Sequence, residues 1–152
     1  MPETIAVPTV GETLTDIPLT DARGVASRLH REIEGTSAVV FFMRAADCPI
    51  CVAHAKTLAR MASTGELGSA AVLIVAPGGA DAAGIAQHRI GSDAVRVWAS
   101  GDHHADLGLG RFLTVQHSGT FVTDDRGTLL SAVTSVLPTS SFSKQKVLAA
   151  LA

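Results

Sequence analysis

The chain has 152 residues, 47% hydrophobic and 17% charged, with a formal net charge of -2. That is room for one domain, 1–152, with its own core and little room for a second. The near-neutral balance argues against the clustered basic face of a nucleic-acid binder, and no apolar run reaches the length that spans a membrane.

The N-terminus, MPETIAVPTVGETL, lacks the basic start and long apolar block of a secretory signal. The expected location is therefore cytoplasmic, where paired thiols are more often catalytic or sensing than structural. Residues 1–24 read as an N-terminal arm. Pro2, Pro8, Gly11 and Pro18 keep it extended, with short strand pieces. Residues 17–20 suit a short edge strand, and DARG at 21–24 suits a turn. Val25, Leu29 and Ile33 recur at i, i+4 and i+8, which predicts a helix over 25–33 ended by Gly35.

The run AVVFFM at 38–43 is apolar throughout and free of Gly and Pro, the pattern of a fully buried strand. Asp47-Cys48-Pro49-Ile50-Cys51 follows. Val52, Leu58 and Met61 then stand among alanines and basic residues, with no helix breaker before Gly65, which predicts an amphipathic helix. Pro49 is tolerated only in the first helical turn, where its missing N–H would have no partner anyway. Cys48 is thus expected at the very start of a helix, directly after a buried strand.

Gly65 and Gly68 break the chain before a second buried strand at 70–76 (AAVLIVA). Pro77-Gly78-Gly79 reads as a loop, Asp81 as the N-cap of a helix to about His88, and 95–98 as a strand. A short helical turn is expected at 102–107, limited by Gly108 and Gly110. A strand at 120–123, a hairpin turn at 124–127 (DDRG) and a returning strand at 128–133 follow, with Pro138 as the stop. Ser141 or Ser143 caps a last helix through Leu151, with Val147, Leu148 and Leu151 on one face. Strands alternating with helices, then a hairpin and a helix, predict an α/β three-layer sandwich: a central mixed sheet flanked by helices, parallel in its early strands, with the hairpin antiparallel at one edge.

Cys48 and Cys51 are the only two cysteines. A CxxC at a strand-to-helix junction is the redox signature of the thioredoxin fold. The thiolate is the nucleophile, and a helix N-terminus offers unpaired N–H groups and partial positive charge to hold it. Cys51 lies one turn on, placed to close a short-loop disulfide with an oxidised Cys48, and Arg44 can add positive charge. The plainer reading is a pair of buried apolar residues. Asp47 either raises the Cys48 pKa or caps the helix and points to solvent, the favoured option.

His54, three residues after Cys51, is either a solvated helix position or, with Cys48, Cys51 and His117, part of a thiolate-rich set suited to Zn²⁺ or Cu⁺. His103 and His104 are expected in an exposed loop or cap, and His30 and His88 on helix surfaces. The Pro77-Gly78-Gly79 loop lacks the Lys and Ser/Thr of a phosphate loop, and Ser118 and Ser131 lack the setting of a hydrolase nucleophile.

The sequence resembles the peroxiredoxin-like members of the alkyl hydroperoxide reductase and thiol-specific antioxidant family, within the thioredoxin-fold superfamily. The resemblance runs through Val10-Gly11-Glu12 and the arm to Gly24, Phe42-Met43-Arg44 with Cys48-Pro49-Ile50-Cys51, and Gly119-Thr120-Phe121-Val122 with Asp124 and Gly127. It implies Cys48 as the attacking thiol on a peroxide or disulfide substrate and Cys51 as the resolving thiol, with Arg44, Pro49 and Thr120 in support. It implies no resident cofactor, an external dithiol as reductant, and a homodimer as one option. Typical members carry a Pro and a Thr upstream of the attacking cysteine, places taken here by the stretch from Met43 to Asp47, and many have an Arg where Ser118 stands. CPIC followed by a late His also resembles copper-chaperone relatives of the fold, which implies as the alternative a non-catalytic copper carrier using Cys48, Cys51 and His54 or His117. A redox-inert protein that keeps the fold is the remaining option.

Overall fold

The computed structural model describes residues 6–112 and 115–152, so the first five residues of the predicted arm fall outside it. Two short strands, β1 (Pro18–Thr20) and β2 (Ala26–Arg28), lead into α1 (Leu29–Ile33), β3 (Ala38–Phe42) and α2 (Pro49–Ser63). β4 (Ala71–Ala76), α3 (Ala80–Ile90) and β5 (Arg96–Ala99) follow, and a 3-10 turn, His103–Leu107, leads to a small ribbon of β6 (Arg111–Phe112) and β7 (Val115–Gln116). The hairpin strands β8 (Ser118–Thr123) and β9 (Leu129–Ser135), a 3-10 turn at Pro138–Ser140 and α4 (Lys144–Leu151) complete it.

Seven strands form one mixed sheet in the order β2-β1-β5-β4-β3-β8-β9. β3, β4 and β5 are parallel to one another, and β8 returns antiparallel to β3. The all-apolar composition of β3 suits its place between β4 and β8. All five of its residues are buried, alternate side chains supplying opposite faces of the sheet. Val39 and Phe41 join Val52, Ala55, Leu58 and Met61 of α2, Ile90 of α3 and Val147 of α4. Val40 and Phe42 join Leu14 and Ile17 of the arm, Leu29 and Ile33 of α1, and Phe121. Burying each such large side chain contributes about 1.5–3 kcal/mol. On the arm side, Gly108 has φ +77, and a Cβ there would stand 2.5 Å from the Val7 nitrogen. Only glycine lets the arm cross so close to the end of the first 3-10 turn.

The predicted helix over 25–33 is a helix only in its second half. The Asp21 carboxylate accepts the N–H groups of Arg23 and Val25, both at 2.9 Å, and folds the chain back on itself. Residues 26–28 then pair with 18–20. Val25 is 56% exposed while Leu29 and Ile33 are buried, so the i, i+4 pattern meets a core only from Leu29 onward. For the same reason the predicted edge strand is interior: β1 lies between β2 and β5, and β2 is the edge. α3 starts at Ala80 with Gly79 as N-cap rather than Asp81, and runs on to Ile90. At the hairpin, Asp124 holds the predicted turn by accepting from the N–H groups of Arg126 and Thr128. Ser143 caps α4, its hydroxyl oxygen accepting from the Lys146 N–H at 3.3 Å.

Candidate active site

β3 ends at Phe42 and α2 begins at Pro49, so residues 43–48 form the link between the most buried strand and the helix packed on it. Cys48 is the N-cap of α2 and Pro49 occupies the first turn. The Cys48 sulfur accepts the Cys51 N–H at 3.4 Å, the place a Ser or Asp oxygen usually takes at a helix start. The Cys51 sulfur accepts the Arg44 N–H at 3.3 Å. Both thiols are free. Cys51 is wholly buried and Cys48 is 2% exposed, while Asp47, Pro49 and Ile50 around them are exposed. Asp47 thus faces solvent as expected, but the cap is Cys48.

The two thiols are pushed in opposite directions. Burial works against the Cys48 anion, but the Cys51 N–H, the Cys51 thiol and the Arg44 guanidinium outweigh it, and the Cys48 thiol lies below its usual range. For Cys51, burial pushes the thiol up to about 12; the Arg44 N–H opposes this and the Cys48 charge adds to it. Arg44 is held more firmly protonated, first by its hydrogen bond to the Cys48 sulfur and then by that sulfur's charge. The arrangement therefore offers one thiol that gives up its proton more readily than usual and, beside it, one that holds its proton more firmly.

Arg44→Gln removes that cation. The Cys48 thiol should titrate at higher pH, and alkylation of Cys48 by iodoacetamide at pH 7 should slow by about threefold to tenfold. The rate–pH profile reads this directly, and an unshifted profile would remove Arg44 from the site.

Thr120 lies on β8 opposite Phe41. Its hydroxyl donates to the Ser141 carbonyl at 2.7 Å, so its proton is committed to the segment before α4. His54 is half-buried rather than solvated, edge-on to Phe41 at 5.8 Å and tilted against Phe142 at 5.1 Å. His117 precedes β8, whose Gly119 pairs with Phe42, which puts it at the cysteine end of the sheet. There, Arg44 Nε, His117 Nε2 and Ser118 Oγ are buried with no hydrogen-bond partner among the described residues. Among those residues, no group of three or more His, Cys, Asp and Glu is placed to hold a metal ion.

His104 departs most from the expectation drawn from sequence. It is not in an exposed loop but fully buried. Nδ1 lies 2.6 Å from Ser100 Oγ, Nε2 lies 2.9 Å from the Met43 carbonyl oxygen, and the ring stands edge-on to Phe42 at 5.0 Å. Burial lowers its pKa to about 4, against the pull of the Met43 carbonyl and with help from the Arg111 charge. His103 is the surface member of the pair, 2.8 Å from Asp106. His30 is half-buried, its ring bonded to the Leu14 carbonyl and its N–H donating to Asp16. A cavity of about 690 Å³ beside Asp16, Arg31 and Arg126, and one of about 310 Å³ beside Asp21 and Trp98, contain neither cysteine.

No protein-family model matches the chain, and no curated protein matches it in sequence. Solved structures do match it. A peroxiredoxin-like protein from Aquifex aeolicus is similar with a TM-score of 0.80 at 12% identity, over 95% of this chain and 86% of that one. Prx3 from Vibrio vulnificus, reduced and in complex with H2O2, gives 0.80 at 20% identity over 96% and 100%. Peroxidoxin BcpB from Mycobacterium tuberculosis gives 0.74 at 24% identity over 93% and 95%. At these identities the likeness is one of fold.

Proposed function

We propose that this chain, with its peroxiredoxin-like thioredoxin fold, is a thiol peroxidase in which Cys48 attacks the peroxide and Cys51 resolves the product. The observation that carries the reading is the divided pair at the start of α2: a Cys48 thiol lowered, against burial, by the Cys51 N–H, the Cys51 thiol and Arg44, next to a Cys51 thiol that burial raises to about 12. The fold it shares with a neighbour described in complex with H2O2 supports peroxide as the substrate. Burial favours a small substrate over a large one, because Cys48 is only 2% exposed and a protein disulfide would need the first turn of α2 to open.

In the first step the Cys48 thiolate attacks one peroxide oxygen. The S–O bond forms, the O–O bond breaks, and the departing alkoxide or hydroxide takes a proton, leaving Cys48 as a sulfenic acid. Arg44, against the sulfur, steadies the charge in flight. At the same end of the sheet, Ser118 Oγ and His117 Nε2 are buried with no partner among the described residues, polar atoms that a bound peroxide could satisfy. Loss of the Cys48 charge also removes one cause of the raised Cys51 pKa. The Cys51 sulfur then attacks Cys48, the S–S bond forms, and hydroxide leaves with the Cys51 proton as water. An external dithiol reduces the disulfide, meeting it from the exposed Pro49 and Ile50 side. A cytoplasmic, reducing setting suits that last step.

Cys51→Ser separates the steps. Treated with hydrogen peroxide, it should lose one thiol per chain and accumulate a Cys48 sulfenic acid that dimedone traps as a single adduct by mass spectrometry. Turnover with a dithiol should fall by at least about tenfold. An intact thiol and no adduct would remove the proposed chemistry.

A further inference from the structure

We propose that His104 is a positioning residue for Cys51, acting through the peptide group that joins Met43 to Arg44; the role rests on the peroxidase reading above. That one peptide group is hydrogen-bonded at both ends. Its carbonyl oxygen lies 2.9 Å from His104 Nε2, and its N–H donates to the Cys51 sulfur at 3.3 Å. The peptide is trans, so its C=O and N–H point in opposite directions, and the imidazole and the thiol sit on either side of it.

The ring is itself held in place. With a carbonyl oxygen at Nε2, that nitrogen must carry the proton. Nδ1 is then the acceptor, and the Ser100 hydroxyl donates to it at 2.6 Å. Phe42 fixes the ring plane by its edge-on contact at 5.0 Å. The result is a chain of donors, Ser100 O–H to His104, His104 N–H to the Met43 carbonyl, Arg44 N–H to Cys51. A peptide whose carbonyl accepts a hydrogen bond is a better donor at its N–H, and more so where water is excluded. His104 touches neither cysteine. It sets the plane and strength of the backbone donor that holds the Cys51 sulfur, and that donor lowers the cost of the negative charge Cys51 develops as it attacks. Nothing else in the proposed chemistry uses a buried histidine 61 residues along the chain from Met43.

The test uses a small uncharged dipyridyl disulfide as oxidant, so that it does not depend on peroxide. Cys48 thiolate attacks it, forming a mixed disulfide and releasing one thiopyridone. Cys51 then attacks the Cys48 sulfur, the Cys48–Cys51 bond forms, the second thiopyridone leaves, and the Cys51 proton goes with it. The two releases are separate absorbance phases, the first reporting Cys48 and the second Cys51. His104→Leu should slow the second phase by about tenfold relative to the first, the size of one lost hydrogen bond. His104→Gln, whose amide N–H can donate to the Met43 carbonyl, should restore it to within about twofold to threefold. Ser100→Ala, a smaller change that frees the tautomer, should fall between, and it carries the test if the leucine variant does not fold. A second-to-first ratio unchanged in both His104→Leu and Ser100→Ala would overturn the role of His104 alone. No fast thiol reaction in the wild-type protein with either the dipyridyl disulfide or hydrogen peroxide would overturn the thiol chemistry and this role with it.

Discussion

Cys48→Ser should leave the protein folded and lower its reaction with hydrogen peroxide by at least about a thousandfold. The expectation follows from what the residue does twice over. Its sulfur is the acceptor for the Cys51 N–H at the start of α2, and a serine oxygen is a favourable N-cap, so the helix start and the melting temperature should change little. Its sulfur is also the group the site lowers, with Arg44 and the Cys51 N–H overcoming the effect of burial. A serine hydroxyl stays protonated in that setting and cannot attack a peroxide. Far-UV circular dichroism and a thermal melt check the first half, and consumption of peroxide in the presence of a dithiol checks the second. Turnover within tenfold of the wild type would place the nucleophile elsewhere.

The second large effect is on stability in acid. His104 takes up its proton near pH 4 in the folded protein, against 6.5 for a free imidazole. Between those values the unfolded chain binds a proton that the folded chain does not. Stability is therefore fully present above about pH 6.5, falls as the pH is lowered, and from this group falls no further below about pH 4. The gap corresponds to about 3 kcal/mol across that window, a large part of the stability of a small domain. The physical event is plain: a charged ring would sit buried beside Phe42, and the Ser100 hydroxyl would have to turn from donating to Nδ1 to accepting from it. His104→Gln has no proton to gain. Urea titrations at a series of pH values should show a steep loss for the wild type between pH 6.5 and 4.5 and a flatter course for the variant. Parallel curves would mean that His104 does not carry the acid sensitivity.

Much of the fold is legible in the sequence because local patterns and long-range packing agree. The apolar run that becomes β3 can be satisfied only between two other strands. Pro49 in a first helical turn leaves one place for α2 to start, so the amino-acid order alone locates Cys48. The Asp124 and Gly127 turn is legible because its hydrogen bonds lie within four residues of one another. The failures have the opposite character. Residues 25–33 carry a genuine helical spacing, but a single Asp21 carboxylate turns 26–28 into a strand instead. His104 stands in a run of polar residues, and its partner is the carbonyl of Met43, just past the end of β3. The two meet only through the sheet order that sets β5 beside β4 and β4 beside β3. Local composition carries no trace of that contact. Thr120 can be aligned by its neighbours, yet where its hydroxyl is spent depends on the Ser141 backbone.

The most direct measurement is stopped-flow mixing of the fully reduced protein with hydrogen peroxide, following the fluorescence of Trp98, the single tryptophan, together with free thiols. The proposed chemistry requires the loss of two thiols per chain at a rate far above that of free cysteine at the same pH, with the fast phase absent in Cys48→Ser. Thiol loss no faster than for free cysteine, or a fast phase that survives in Cys48→Ser, would contradict it.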